Sequence, residues 1–157
     1  MMQLAAQETA AGDDFFWIAE PVASLLSTTN FWTFSGQFLH RIFESSNVPG
    51  FLHICGKTLR LTESMVLTGA QVLSIDQQTD LKKSMETVPE DIVIMGNVDP
   101  SLLHFGTKEE IREEIRKMNR ITRSHRNYIM STGCSVHEGT PEENVMLLYE
   151  EAEDASV

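Results

Sequence analysis

Phe51-Leu52-His53-Ile54-Cys55 is entered through Pro49-Gly50 and left through Gly56; a helical pattern from Leu59 to Thr68 follows, and then Val72-Leu73-Ser74-Ile75, ending at Asp76. This stretch decides the fold class. Each short apolar run, bounded by turn residues, reads as a strand, and Gly69 stops the helix between them. Two strands separated by a helix point to a parallel pair with a right-handed crossover.

The same alternation runs outward in both directions. Towards the N-terminus, Phe15-Phe16-Trp17-Ile18-Ala19 reads as a strand, and Phe31 to Phe43 shows helical spacing with Ser27 or Thr28 as the cap. Towards the C-terminus, Thr79 is expected to cap a short helix through Leu81, Ser84 and Met85, and Ile92-Val93-Ile94-Met95 is a fourth strand closed by Gly96-Asn97. Thr107-Lys108-Glu109-Glu110 is a capping box, with Ile111, Ile115, Met118 and Thr122 marking one face of its helix. Tyr128-Ile129-Met130 is a fifth strand. Thr140-Pro141-Glu142-Glu143 opens the last helix with a cap residue, a proline and acids in the first turn, and Glu150 to Asp154 is expected to be a solvated helix end. The expected class is therefore α/β, one domain over residues 1–157 with about five β/α units and no linker or repeat. An open doubly wound sheet and part of a barrel both fit that pattern.

Bulk properties narrow the function. The 157 residues suffice for one core, and 41% hydrophobic with 22% charged residues fits an ordinary globular chain. A formal net charge of −11 argues against nucleic-acid partners and against anionic membranes. Pro21 to His40 carries no formal charge, yet Ser24, Ser27, Asn30, Thr33 and Gln37 make it too polar for hydrocarbon. Met1-Met2-Gln3 does not begin a secretory signal, so a cytoplasmic location is expected. There, two cysteines are free thiols or metal ligands rather than a bridge.

His53 and Cys55 stand two apart on one strand, so their side chains share a face, at the C-terminal end where α/β proteins place ligands. Cys134 follows Ser131-Thr132-Gly133, just beyond another strand end. A His/Cys/Cys set suits zinc, and three protein ligands leave a fourth position open, as catalytic zinc requires. Spacing alone leaves a second reading open, that of two buried cysteines and a satisfied core histidine. Asp76 ends a strand on the same rim and reads either as a catalytic or metal-side acid or as a helix-initiating loop residue. Asn97 and Asp99 suit a loop held by side-chain-to-backbone bonds, with Asn97 also carried as a substrate-side candidate. His40 and His125 read as surface residues, and His104 and His137 lie near the rim without a motif.

Leu52-His53-Ile54-Cys55-Gly56-Lys57-Thr58, Leu73-Ser74-Ile75-Asp76, Gly96-Asn97-Val98-Asp99-Pro100, Gly106-Thr107-Lys108-Glu109-Glu110-Ile111, Ser131-Thr132-Gly133-Cys134 and Thr140-Pro141-Glu142-Glu143-Asn144 occur in that order. Together they resemble the C-terminal half of the uroporphyrinogen decarboxylase superfamily of (β/α)8 TIM barrels. Within it the His-x-Cys pair with a distant Cys is similar to the methylcobamide:coenzyme M methyltransferase branch of corrinoid-dependent enzymes. That resemblance implies zinc on His53, Cys55 and Cys134, and a rim role for Glu20, where the family often has an acid. It implies methyl transfer from methylcobalamin on a partner corrinoid protein to a thiol such as coenzyme M, or to another acceptor. The decarboxylase branch typically has a Gly-His-Gly context where Cys134 stands and lacks the His-x-Cys pair, so a decarboxylase-like lyase is the alternative, with a non-catalytic truncated remnant as the third reading.

A complete barrel has eight units in about 250 residues. On the resemblance, the units here correspond to the fourth through eighth. A partial barrel would expose strand edges and an apolar inner face, so either self-association or a complementing N-terminal half is expected.

Overall fold

The computed structural model describes residues 12–154, with side chains up to residue 151. Five strands, β1 (Phe16–Ala19), β2 (Gly50–Ile54), β3 (Val72–Ile75), β4 (Val93–Val98) and β5 (Tyr128–Thr132), form one parallel sheet. Their spatial order is β1-β2-β3-β4-β5, identical to their chain order. A doubly wound sheet reverses direction at a switch point. This one never does, so the five units are a sector of a β/α-barrel.

Helices fill the connections: α1 (Thr28–Phe31), α2 (Gln37–Glu44), α3 (Thr62–Val66), α4 (Leu81–Thr87), α5 (Pro100–Phe105), α6 (Lys108–Thr122) and α7 (Glu142–Asp154). A π-helical turn at Trp32–Gly36 joins α1 to α2, and a 3₁₀ turn at Leu59–Leu61 leads into α3. None of the described helices is long and apolar enough to cross a membrane.

One face of the sheet meets these helices. Phe16, Ile18, Leu52, Ile54, Leu73, Ile75 and Ile94 project to that side and are buried with Leu61, Met65, Leu103, Ile111 and Ile115. Each large aliphatic side chain buried this way contributes roughly 1.5–3 kcal/mol. The strand alternation puts Phe15, Trp17, Phe51, His53, Ser74, Met95 and Ile129 on the other face. Phe15 is 51%, Trp17 43% and Ile129 42% exposed there, so the apolar inner face is open, as the partial-barrel expectation holds.

Of the two caps read for the first helix, Ser27 serves, accepting from the Asn30 N–H at 3.2 Å. Several other local expectations are corrected. Asp80, not Thr79, caps α4: its extended backbone lets Oδ1 accept from the Lys83 N–H at 3.1 Å. Thr79 has another task, donating its hydroxyl to the Gly56 carbonyl and accepting from the Thr58 N–H, both at 3.0 Å. Thr140 likewise gives its hydroxyl to the His137 carbonyl at 2.8 Å and pairs with His104 Nδ1 at 3.1 Å. Helix α5 was not anticipated; Asp99 accepts from the Ser101 N–H at 2.8 Å and Pro100 opens the first turn. Glu151, expected in a solvated helix end, is held by Arg112 Nε at 3.1 Å and Arg116 Nε at 3.2 Å, because α7 lies against the charged side of α6. The capping box of α6 forms as read.

Candidate metal centre

Buried polar bonds stitch the C-terminal ends of the strands into one rim. Gly56, with φ +80°, turns the chain sharply out of β2, a conformation that L side chains resist. Thr79 ties that exit to the loop after β3. Asn97, buried at the end of β4, donates both hydrogens of its amide, to the Asp76 carbonyl at 3.0 Å and the Thr79 carbonyl at 2.8 Å. The Gly133 N–H, after β5, donates to the Val98 carbonyl at 2.8 Å.

On this rim His53, Cys55 and Cys134 converge, their donor atoms all within 4.8 Å of one another. Cys55 Sγ lies 3.4 Å from His53 Nε2 and 4.0 Å from Cys134 Sγ. Two thiolates on a tetrahedral zinc stand about 3.8 Å apart, and a thiolate and an imidazole nitrogen about 3.6 Å, given bonds near 2.3 and 2.0 Å. The Cys55–His53 and Cys55–Cys134 spacings match that geometry. His53 is oriented for it: Nδ1 lies 3.2 Å from the Ser74 carbonyl and 3.1 Å from Ser74 Oγ. A carbonyl only accepts, so Nδ1 carries the hydrogen and the Nε2 lone pair faces the sulfurs. The donor set therefore fits zinc.

The electrostatics agree. Burial, followed by the neighbouring Cys134 and then Asp76, pushes the Cys55 thiol above its ordinary range. Those causes all oppose a second negative charge, and a bound divalent cation offsets them. Beside the trio opens a cleft of about 300 Å³ lined by Trp17, His53, Ser74, Ser131, Cys134 and Ser135. The Trp17 indole stacks on Phe51, with ring centroids 5.4 Å apart, and forms the apolar floor below His53.

The other sequence candidates are spread around this centre. Asp76 is buried, acts electrostatically on Cys55, and accepts from the Gln78 N–H through Oδ1 at 2.8 Å. Glu20 gives its backbone N–H to the His53 carbonyl at 2.8 Å, while Oε2 accepts from Ser35 Oγ at 3.3 Å. His104 and His137 meet each other, with ring centroids 5.7 Å apart, away from the trio. Sequence reasoning missed Ser74 and Gly133. The pairing of Ser74 with His53 across neighbouring strands follows only from the register, and no spacing rule signals the crossing at Gly133.

Comparison with known proteins places the chain. A family model described as uroporphyrinogen decarboxylase (URO-D) matches residues 1–155. The uroporphyrinogen decarboxylase of Prochlorococcus marinus (strain MIT 9312) is 33% identical over 146 residues, covering 89% of this chain and 41% of the relative. That of strain MIT 9313 is 34% identical over 133 residues, covering 82% and 37%. Among solved structures, a methyltransferase from Methanosarcina mazei superposes with a TM-score of 0.87 at 27% identity, covering 99% of this chain and 46% of that one. The chain thus spans about two fifths of the length of the curated relatives it matches. It belongs to the uroporphyrinogen decarboxylase family.

Proposed function

We propose, for this member of an enzyme family, that the chain is the zinc-holding part of a methyltransferase that moves a methyl group from a corrinoid to a thiol. The observation that carries this reading is the convergence of His53, Cys55 and Cys134, with Cys55 spaced from each of the other two as on one tetrahedral ion. The likeness to the Methanosarcina mazei methyltransferase supports it. Zinc, when bound, supplies a positive charge that keeps an acceptor thiol deprotonated near neutral pH.

The chain's own residues perform the rest. His53, fixed by Ser74, and the two cysteines would hold the ion beside the cleft, with room for the acceptor thiol. Trp17, stacked on Phe51, gives the cleft an apolar wall. Ser131 and Ser135 offer hydroxyls to the acceptor, and Asp76 sets the local charge beside Cys55. The methyl donor in this reading is methylcobalamin on a partner corrinoid protein, and the acceptor is coenzyme M or another methyl carrier. Residues 1–157 act as one partial-barrel domain, completed in turnover by further β/α units from a complementing half or a second copy.

Elemental analysis of the purified chain tests the reading. One zinc per chain is expected, and it is lost when Cys55 and Cys134 are replaced by Ser. Metal-free protein after zinc loading, or zinc retained by the double variant, refutes it. The identities to curated uroporphyrinogen decarboxylases favour a second reading, a lyase that needs no metal. Porphyrinogen turnover unaffected by Cys55→Ser would support that alternative.

A further inference from the structure

We infer that Gly133 is the positioning residue that brings Cys134 within reach of Cys55, an inference that rests on the metal-centre reading above. Cys55 directly follows β2 and Cys134 lies in the turn after β5, three strand positions apart. Neighbouring strands are about 4.8 Å apart, so a flat sheet would separate their ends by roughly 14 Å. The sulfurs are nevertheless 4.0 Å apart.

Sheet curvature and the path of the chain after Thr132 close that gap. The Gly133 N–H is bonded to the Val98 carbonyl at the end of β4, and its α-carbon presses on the loop that follows β3. A β-carbon at Gly133 would lie 2.3 Å from Gln77 N and 2.9 Å from Gln77 Cα, both backbone atoms, as well as 2.8 Å from Gln77 Oε1. The side-chain oxygen can move aside, but the backbone cannot, because Asn97 and Thr79 anchor that loop. Only a residue without Cβ lets the turn cross β4 and rest on the exit of β3. The next residue is Cys134.

Geometry sets a sharp limit on this arrangement. Two sulfurs bound to one zinc at about 2.3 Å each cannot be more than about 4.6 Å apart. A methyl group at Gly133 needs about 1 Å of extra room to reach ordinary van der Waals contact. That displacement moves Cys134 away from β3, hence away from Cys55 just after β2 beyond it, from 4.0 Å to past the limit.

The test uses the full chain loaded with Co²⁺ as the spectroscopic probe. In the wild type, a thiolate-to-cobalt charge-transfer band of two-thiolate intensity is expected; its failure would refute the metal-centre reading itself. In Gly133→Ala, with far-ultraviolet circular dichroism unchanged, the band is expected to fall to about half, and zinc affinity to drop on the order of ten- to a hundredfold. Adding Gly133→Ala to Cys134→Ser should then change neither the band nor the affinity further, which a merely structural role would not produce. A second variant, with one glycine inserted after Gly133, adds no bulk against Gln77 yet displaces Cys134, and the same halving is expected. A two-thiolate band in either variant, or an additive effect in the double variant, overturns the inference.

Discussion

Removing the metal should lower the stability of the whole chain by an amount the topology sets. The two cysteine ligands are 79 residues apart in sequence, so an ion shared between them closes a loop of that length. Cross-linking such a loop removes about 4.5 kcal/mol of unfolded-state entropy in the chain-entropy account. Mass action gives a similar figure: free zinc at about a thousand times the dissociation constant stabilises by roughly 4 kcal/mol. Zinc binding by the unfolded chain reduces both, which makes these upper bounds. For a domain of this size, each kcal/mol moves the melting midpoint by about 2–4 °C. Chelation should therefore lower the midpoint by on the order of 10 °C. Thermal unfolding followed by circular dichroism, with zinc and with a chelator, measures it, and Cys134→Ser should abolish most of the difference because the loop is no longer closed. A chelation shift under about 2 °C, or an equal shift in Cys134→Ser, would refute the cross-linking argument.

Other perturbations separate the site from its scaffold. In the metal-free chain, burial, Cys134 and Asp76 hold the Cys55 thiol above its ordinary range, so alkylation by iodoacetamide should accelerate only at a pH above that of a free thiol. Asp76→Asn should move this profile to lower pH, and an unchanged profile would remove Asp76 from the electrostatics. Thr107→Ala removes the capping box of α6 and should cost about 1 kcal/mol in denaturant unfolding with zinc stoichiometry intact. Ile94→Ala empties a fully buried position between sheet and helices and should cost about 2–5 kcal/mol. The open inner face of Phe15, Trp17 and Ile129 should make the isolated chain associate in sedimentation experiments; a compact monomer that unfolds cooperatively would contradict this.

The strands and most helices were legible in the sequence because their signals are local. Apolar runs bounded by Pro49-Gly50, Gly56 and Gly69 mark strands and helix ends wherever they fold. Two of the misreadings share one cause. Thr79 and Asp80 are adjacent cap-forming residues, and which one caps α4 depends on whether a long-range partner claims the first. Gly56 and Thr58, more than 20 residues away, claim Thr79. Glu151 is a tail acid in sequence, and only the packing of α7 against α6 gives it two arginines.

By itself the sequence determined the class, the five alternating units, and the soft donor types projected to the strand ends, since hydrophobic period and residue chemistry need no partner to be read. Tertiary structure alone decided that the sheet follows barrel order rather than reversing, and that Ser74 fixes the ring of His53. It also decided that Cys134 reaches Cys55 across two intervening strands. Each of these is a relation between segments tens of residues apart. It is set by strand register and by where one backbone can lie against another, as Gly133 lies against Gln77.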